Sequence, residues 1–98
     1  MDRRKELHLL AEKATEILKN DFHVKRVFLI GSLAQGYIHE RSDIDIVVEG
    51  LAPGLYIKAL THIYDILTPG VELNLIPYEQ SFKTLKEKTL REGKMIYG

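Results

Sequence analysis

The segment Ser42-Asp43-Ile44-Asp45-Ile46-Val47-Val48 restricts this chain more than any other, because it is apolar on both faces except where two acids stand at its start. Residues two apart on a strand share a face, so Asp43 and Asp45 hold their carboxylates together, while Ile44, Ile46 and Val48 fill the other face and Val47 continues the first. A strand apolar on both sides is a buried one. Its acids therefore lie at the edge of a core, where two unpaired carboxylates are costly and repel each other unless a cation joins them. An acid-decorated exposed strand is the simpler explanation of a lone Asp-x-Asp; the doubly apolar continuation argues against it here.

Ten residues separate Asp43 from Ser32, which with Gly31 ends the apolar run Val27-Phe28-Leu29-Ile30. A Gly-Ser turn after a strand offers backbone N–H groups and a hydroxyl, the donors a triphosphate needs. The hard cation that takes clustered carboxylate oxygens together with substrate phosphates is Mg²⁺. Turn and acids together point to nucleotide chemistry. Gly31-Ser32 alone would also serve as a tight turn with a helix N-cap and no ligand. A P-loop fits poorly, because no Lys and Ser/Thr follow Gly36.

Periodicity supplies the frame. Leu7, Leu10, Ala11, Ala14, Ile17 and Leu18 recur at helical spacing, predicting an amphipathic helix from about Asp2 to Lys19 that Asn20-Asp21 ends. A strand over Val24–Ile30, a helical turn over Ser32–Gln35, a loop over Tyr37–Ser42 and a strand over Asp43–Val48 follow. Then come a helix near Leu55–Leu67, a strand over Val71–Ile76 stopped by Pro77, a helix over Ser81–Glu92 with Gly93 as its C′ residue, and a short final strand over Lys94–Tyr97. The Gly-Ser turn leaves the first strand and the acids begin the second, so the two meet only if those strands are antiparallel. A helical crossover then makes the third strand a parallel partner of the second, bringing Glu72 to the end that carries Asp43 and Asp45. Glu72 with Asn74 also fits a merely half-exposed strand. The expected fold is α/β (α+β): a small mixed sheet flanked by helices, with three acids on one rim.

At 98 residues the chain is read as one domain spanning 1–98, and with 14 basic against 14 acidic residues it has no broad electrostatic grip for nucleic acid. Cysteine is absent, which excludes disulfides and thiolate metal sites within the chain and agrees with a reducing cytoplasm. The opening residues form no apolar signal core and no apolar run reaches membrane-spanning length, so a soluble cytoplasmic protein is expected. His8, His23, His39 and His62 show no ligand spacing; His39, between the two motif halves, is the one to watch. The basic tail around Lys83 to Lys94 is interspersed with Glu79, Glu87 and Glu92 and reads as a solvated helix face. Tyr56, Tyr64, Tyr78 and Tyr97 read as core edge or partner surface.

The run Gly31-Ser32-Leu33-Ala34-Gln35-Gly36, continued by Ser42-Asp43-Ile44-Asp45-Ile46, resembles the Gly-Ser and Asp-x-Asp signature of nucleotidyltransferases of the DNA polymerase beta superfamily. The chain's size and its Val71-Glu72-Leu73-Asn74 strand resemble the minimal nucleotidyltransferases, the MNT proteins. The resemblance implies transfer of a nucleoside monophosphate, AMP from ATP, to a hydroxyl with release of pyrophosphate. It implies two Mg²⁺ ions on Asp43, Asp45 and Glu72, with Gly31 and Ser32 on the β- and γ-phosphates. It also implies a helical HEPN partner, commonly a toxic ribonuclease, that the MNT protein restrains as antitoxin by modifying a tyrosine. Two positions depart from the family pattern: Glu72 stands where Asp is usual and Gln35 where Arg is frequent. A non-catalytic subunit that silences its partner by covering it is the alternative, and a homo-oligomer is left open.

Overall fold

A computed structural model describes residues 3–35 and 43–98, apart from the side chains of Ser32 and Gln35. The order is α1 (Arg3–Phe22), β1 (Arg26–Ile30), α2 (Gly31–Gln35), β2 (Asp43–Glu49), α3 (Tyr56–Tyr64), β3 (Glu72–Pro77), α4 (Lys83–Glu92) and β4 (Lys94–Tyr97), with 3₁₀ turns at Pro53–Leu55 and Tyr78–Gln80. The expected loop over Tyr37–Ser42, with His39, lies outside the described residues.

The strands form one mixed sheet in the order β3-β2-β1-β4. β1 is antiparallel to β2 and β4, whereas β2 and β3 run parallel, the pairing that the meeting of turn and acids required. One face carries the main core. Val27, Leu29, Ile44, Ile46, Val48, Leu73 and Leu75 pack there against Leu7, Leu10, Ala14, Leu18 and Phe22 of α1 and Ala59 and Ile63 of α3. On the other face Phe28 and Val47 are buried as well. Phe28 stacks on Tyr78 with ring centroids 6.5 Å apart, and Arg26 lies over both rings. Arg26 is also paired with Glu49, and the hydrogen bond from its guanidinium holds the Glu49 carboxyl below the usual carboxylate range.

Several boundaries differ from the sequence reading. Asn20-Asp21 does not end α1, which runs on to Phe22 because that ring is buried and meets His62 edge-on at 5.6 Å. The stop comes at His23, whose φ of 52° turns the chain left-handed, so that the Val24 N–H reaches back to the Leu18 carbonyl at 3.3 Å. A left-handed residue closes the helix, with His in the place glycine usually takes. β1 begins at Arg26 rather than Val24, and α3 ends at Tyr64 rather than Leu67. Pro77 does not stop β3; it is the last paired residue, opposite Val48, a place an edge strand can give to a residue without N–H. Gly93 is not a left-handed C′ residue. Its backbone is extended (φ −72°, ψ 152°), and it is small because a Cβ there would collide with the Thr89 carbonyl and crowd Ile30.

At the outer edge of β3 two tyrosines of α3 act where another strand would. The Tyr64 hydroxyl accepts from the Leu73 N–H at 3.1 Å and lies 3.2 Å from the Leu73 carbonyl, and Tyr56 donates to the Leu75 carbonyl at 2.7 Å. Edge backbone groups so occupied are poor templates for foreign strands. Tyr64→Phe leaves the ring but removes both contacts to Leu73, and should cost about 1 kcal/mol in urea unfolding. A loss below the error of the measurement would show that water replaces the phenol without penalty.

Candidate active site

The site begins with the register of two ladders. Ile30 pairs with Asp45 across β1 and β2, so the residue after Ile30 falls beside the Asp45 side chain. That residue is Gly31, with φ +77°. A Cβ built on it would lie 2.5 Å from Asp45 Oδ2, a separation real side chains do not reach. Glycine is thus required twice, by its left-handed backbone and by the carboxylate over its Cα. The chain reverses there into α2, where Leu33 is buried in the main core and anchors the turn.

On the other side, Asp43 is in register with Glu72, and Asp45 with Asn74. In-register neighbours share a face. Asp43, Asp45, Glu72 and Asn74 therefore occupy one end of the face opposite the main core, with Asp43 and Asp45 half-buried and Glu72 and Asn74 exposed. Asn74 donates from Nδ2 to Asp45 Oδ1 at 2.7 Å.

The structure brings together Gly31, Asp43, Asp45 and the strand position of Glu72, as the spacing required. The expected convergence of three acids is a shared face rather than a closed cluster. Among the described residues, no three His, Cys, Asp or Glu side chains gather as a metal-holding group. Like charges repel, and Asp45 turns to the amide of Asn74 instead of to its fellow acids. Asn74, which the sequence suggests only as part of a half-exposed strand, is the neighbour of Asp45; its position two residues after Glu72 is the available signal. Glu49 takes no part in the site: it closes the far end of β2, roughly 20 Å along the strand from Asp43, and is held there by Arg26. The hydroxyl of Ser32 and the side chain of Gln35 lie outside what is described.

The donor set suits a hard divalent cation, being carboxylate oxygens on adjacent strands with no sulfur or imidazole. The glycine turn leaves the space in front of Asp45 that a Cβ would fill.

A mixed sheet whose paired aspartates open beside a Gly-Ser turn has the architecture of a nucleotidyltransferase. The chain belongs to the polymerase beta nucleotidyltransferase family, which it matches over residues 12–98. It is 32% identical over 97 residues to a Methanocaldococcus jannaschii protein named "Putative protein adenylyltransferase MJ1379", the match covering 94% of each chain. The fold is similar to that in a toxin–antitoxin crystal structure with AMP-PNP (TM-score 0.72, 24% identity, covering 89% of this chain and 73% of that one). It is similar also to that in the toxin–antitoxin MntA-HepT (TM-score 0.67, 20% identity, 93% and 72%).

Gly31→Ala places a methyl against Asp45 Oδ2 and forces a left-handed alanine. It should cost about 1–2 kcal/mol of stability and weaken Mg²⁺–ATP binding, read by thermal melting and calorimetry. A variant as stable as the parent, with unchanged nucleotide affinity, would show that the turn and Asp45 are not coupled.

Proposed function

We propose that this protein transfers AMP from ATP to a hydroxyl of a protein partner, a tyrosine of a helical HEPN-type toxin, and acts as its antitoxin. The observation that carries this reading is the left-handed Gly31 turn seated on Asp45, with Asp43 and Glu72 on the same sheet face. Three likenesses support it: family membership, the relative's name as an adenylyltransferase of proteins, and folds shared with toxin–antitoxin structures, one of them with AMP-PNP. Among the described residues, no helix is long and apolar enough to cross a membrane.

In this reading Asp43, Asp45 and Glu72 would hold Mg²⁺, two ions in the loaded complex. The metal supplies charge neutralisation at the α-phosphate and the departing pyrophosphate. Gly31 and Ser32 take the β- and γ-phosphates through backbone N–H groups and the Ser32 hydroxyl, so that leaving charge develops against fixed donors. The acceptor oxygen forms its bond to the α-phosphorus as the bond to the bridging oxygen breaks, pyrophosphate leaves, and the hydroxyl proton passes to water. The extra methylene of Glu72 lengthens the reach of the third ligand from an exposed edge strand.

The test combines the purified protein, its co-encoded partner and ATP labelled at the α-phosphate. Label should appear on the partner only with Mg²⁺ or Mn²⁺. Asp43→Asn and Asp45→Asn should each reduce transfer on the order of a hundredfold or more, as other lost transition-state contacts do, with thermal stability unchanged or raised because carboxylate repulsion is relieved. Glu72→Gln should keep nucleotide affinity and lose transfer. If the partner is silenced without being labelled, and the Asn variants silence it equally well, the protein acts by covering its partner.

A further inference from the structure

Asp43 and Asp45 share a face but have different neighbours across the ladder. Opposite Asp43 stands Glu72, which as a carboxylate repels it. Opposite Asp45 stands Asn74, whose amide donates from Nδ2 to Oδ1 at 2.7 Å. Facing a carboxylate, only the nitrogen end of the amide is attractive, so the direction of the bond is fixed by charge. The other oxygen, Oδ2, lies 2.5 Å from where a Cβ on residue 31 would stand, so the glycine leaves it room. Among the described residues, the amide of Asn74 is the side chain that holds the carboxylate. Asn74 is exposed, so its bond competes with water and adds little to folding. The strand that presents Asn74 is fixed next door, because the Tyr64 hydroxyl engages the backbone of Leu73.

We infer that Asn74 is a positioning residue: by holding Oδ1 it sets the orientation in which Asp45 meets a divalent cation, and so sets metal affinity at the nucleotide site. The inference rests on the metal–nucleotide reading of Asp45 given above. An amide suits the role because it restrains a carboxylate without adding charge. It leaves the site with three acids where an aspartate at 74 would make four. Outer partners of ligating carboxylates commonly alter metal affinity by ten- to a hundredfold.

Mn²⁺ binding, measured by electron paramagnetic resonance with and without ATP, tests this without relying on turnover. Asn74→Ala should weaken Mn²⁺ binding about tenfold at unchanged melting temperature, and Asn74→Gln, which keeps the amide, should recover part of the loss. In the parent protein, the Asn74 side-chain amide protons should shift in the nuclear magnetic resonance spectrum when Asp45 is changed to Asn. Normal Mn²⁺ affinity in Asn74→Ala, together with lost affinity in Asp45→Asn, overturns the positioning role and leaves the proposed function standing. Normal affinity in both variants overturns both. Equal weakening in Asn74→Ala and Asn74→Gln, with a lowered melting temperature in each, reduces Asn74 to a structural strand residue.

Discussion

The antiparallel pairing that sets Ile30 opposite Asp45 is the constraint on which the rest of the site depends. Once it is made, the first residue beyond β1 falls on the Asp45 carboxylate, and a left-handed glycine there leaves the carboxylate room. The turn and the acid are then fixed to each other by backbone hydrogen bonds rather than by flexible side chains. A site built this way is positioned to within the tolerance of a β-ladder, which phosphoryl chemistry requires of groups that act by orientation and charge.

The same sheet face is divided by charge along its length. At one end lie Asp43, Asp45 and Glu72; at the other, Arg26 is clamped between Glu49 and the rings of Phe28 and Tyr78. Asp45 and Glu49 stand four steps apart on the strand, roughly 13 Å, so the cation of Arg26 is taken by Glu49 and does not neutralise the acids. The far end is closed by packing. Between them Val47 is fully buried, which keeps the strand rigid where its chemistry changes.

The two edges of the sheet are also unlike. β3, which carries Glu72 and Asn74, has the outward N–H and carbonyl of Leu73 and the carbonyl of Leu75 taken by Tyr64 and Tyr56. Those phenols stand in for a further strand and hold β3 in register with β2, so an edge strand can contribute to the site without being an open template. The helix α3 that spaces β2 from β3 thus also supplies the groups that fix β3.

Alternation and spacing alone determined most of this. The doubly apolar run after Asp43 and Asp45 forced a buried strand with acids at its mouth, and the requirement that Gly31 meet them dictated which strands are antiparallel. The crossover of α3 implied the parallel return that brings Glu72 alongside. These are properties of chain direction and of a period of two, and they are local. Tertiary structure decided what depends on partners distant in sequence. Phe22 extends α1 past its polar stop because His62 and the core receive its ring, and Gly93 is small because of Thr89 and Ile30 rather than because of a left-handed turn. Asn74 bonds to Asp45 across twenty-nine residues of sequence, and Glu49 is committed to Arg26 across twenty-three. No pattern within a strand announces which polar residue will face which, because that is set by the register between strands. Register follows from the packing of the whole sheet.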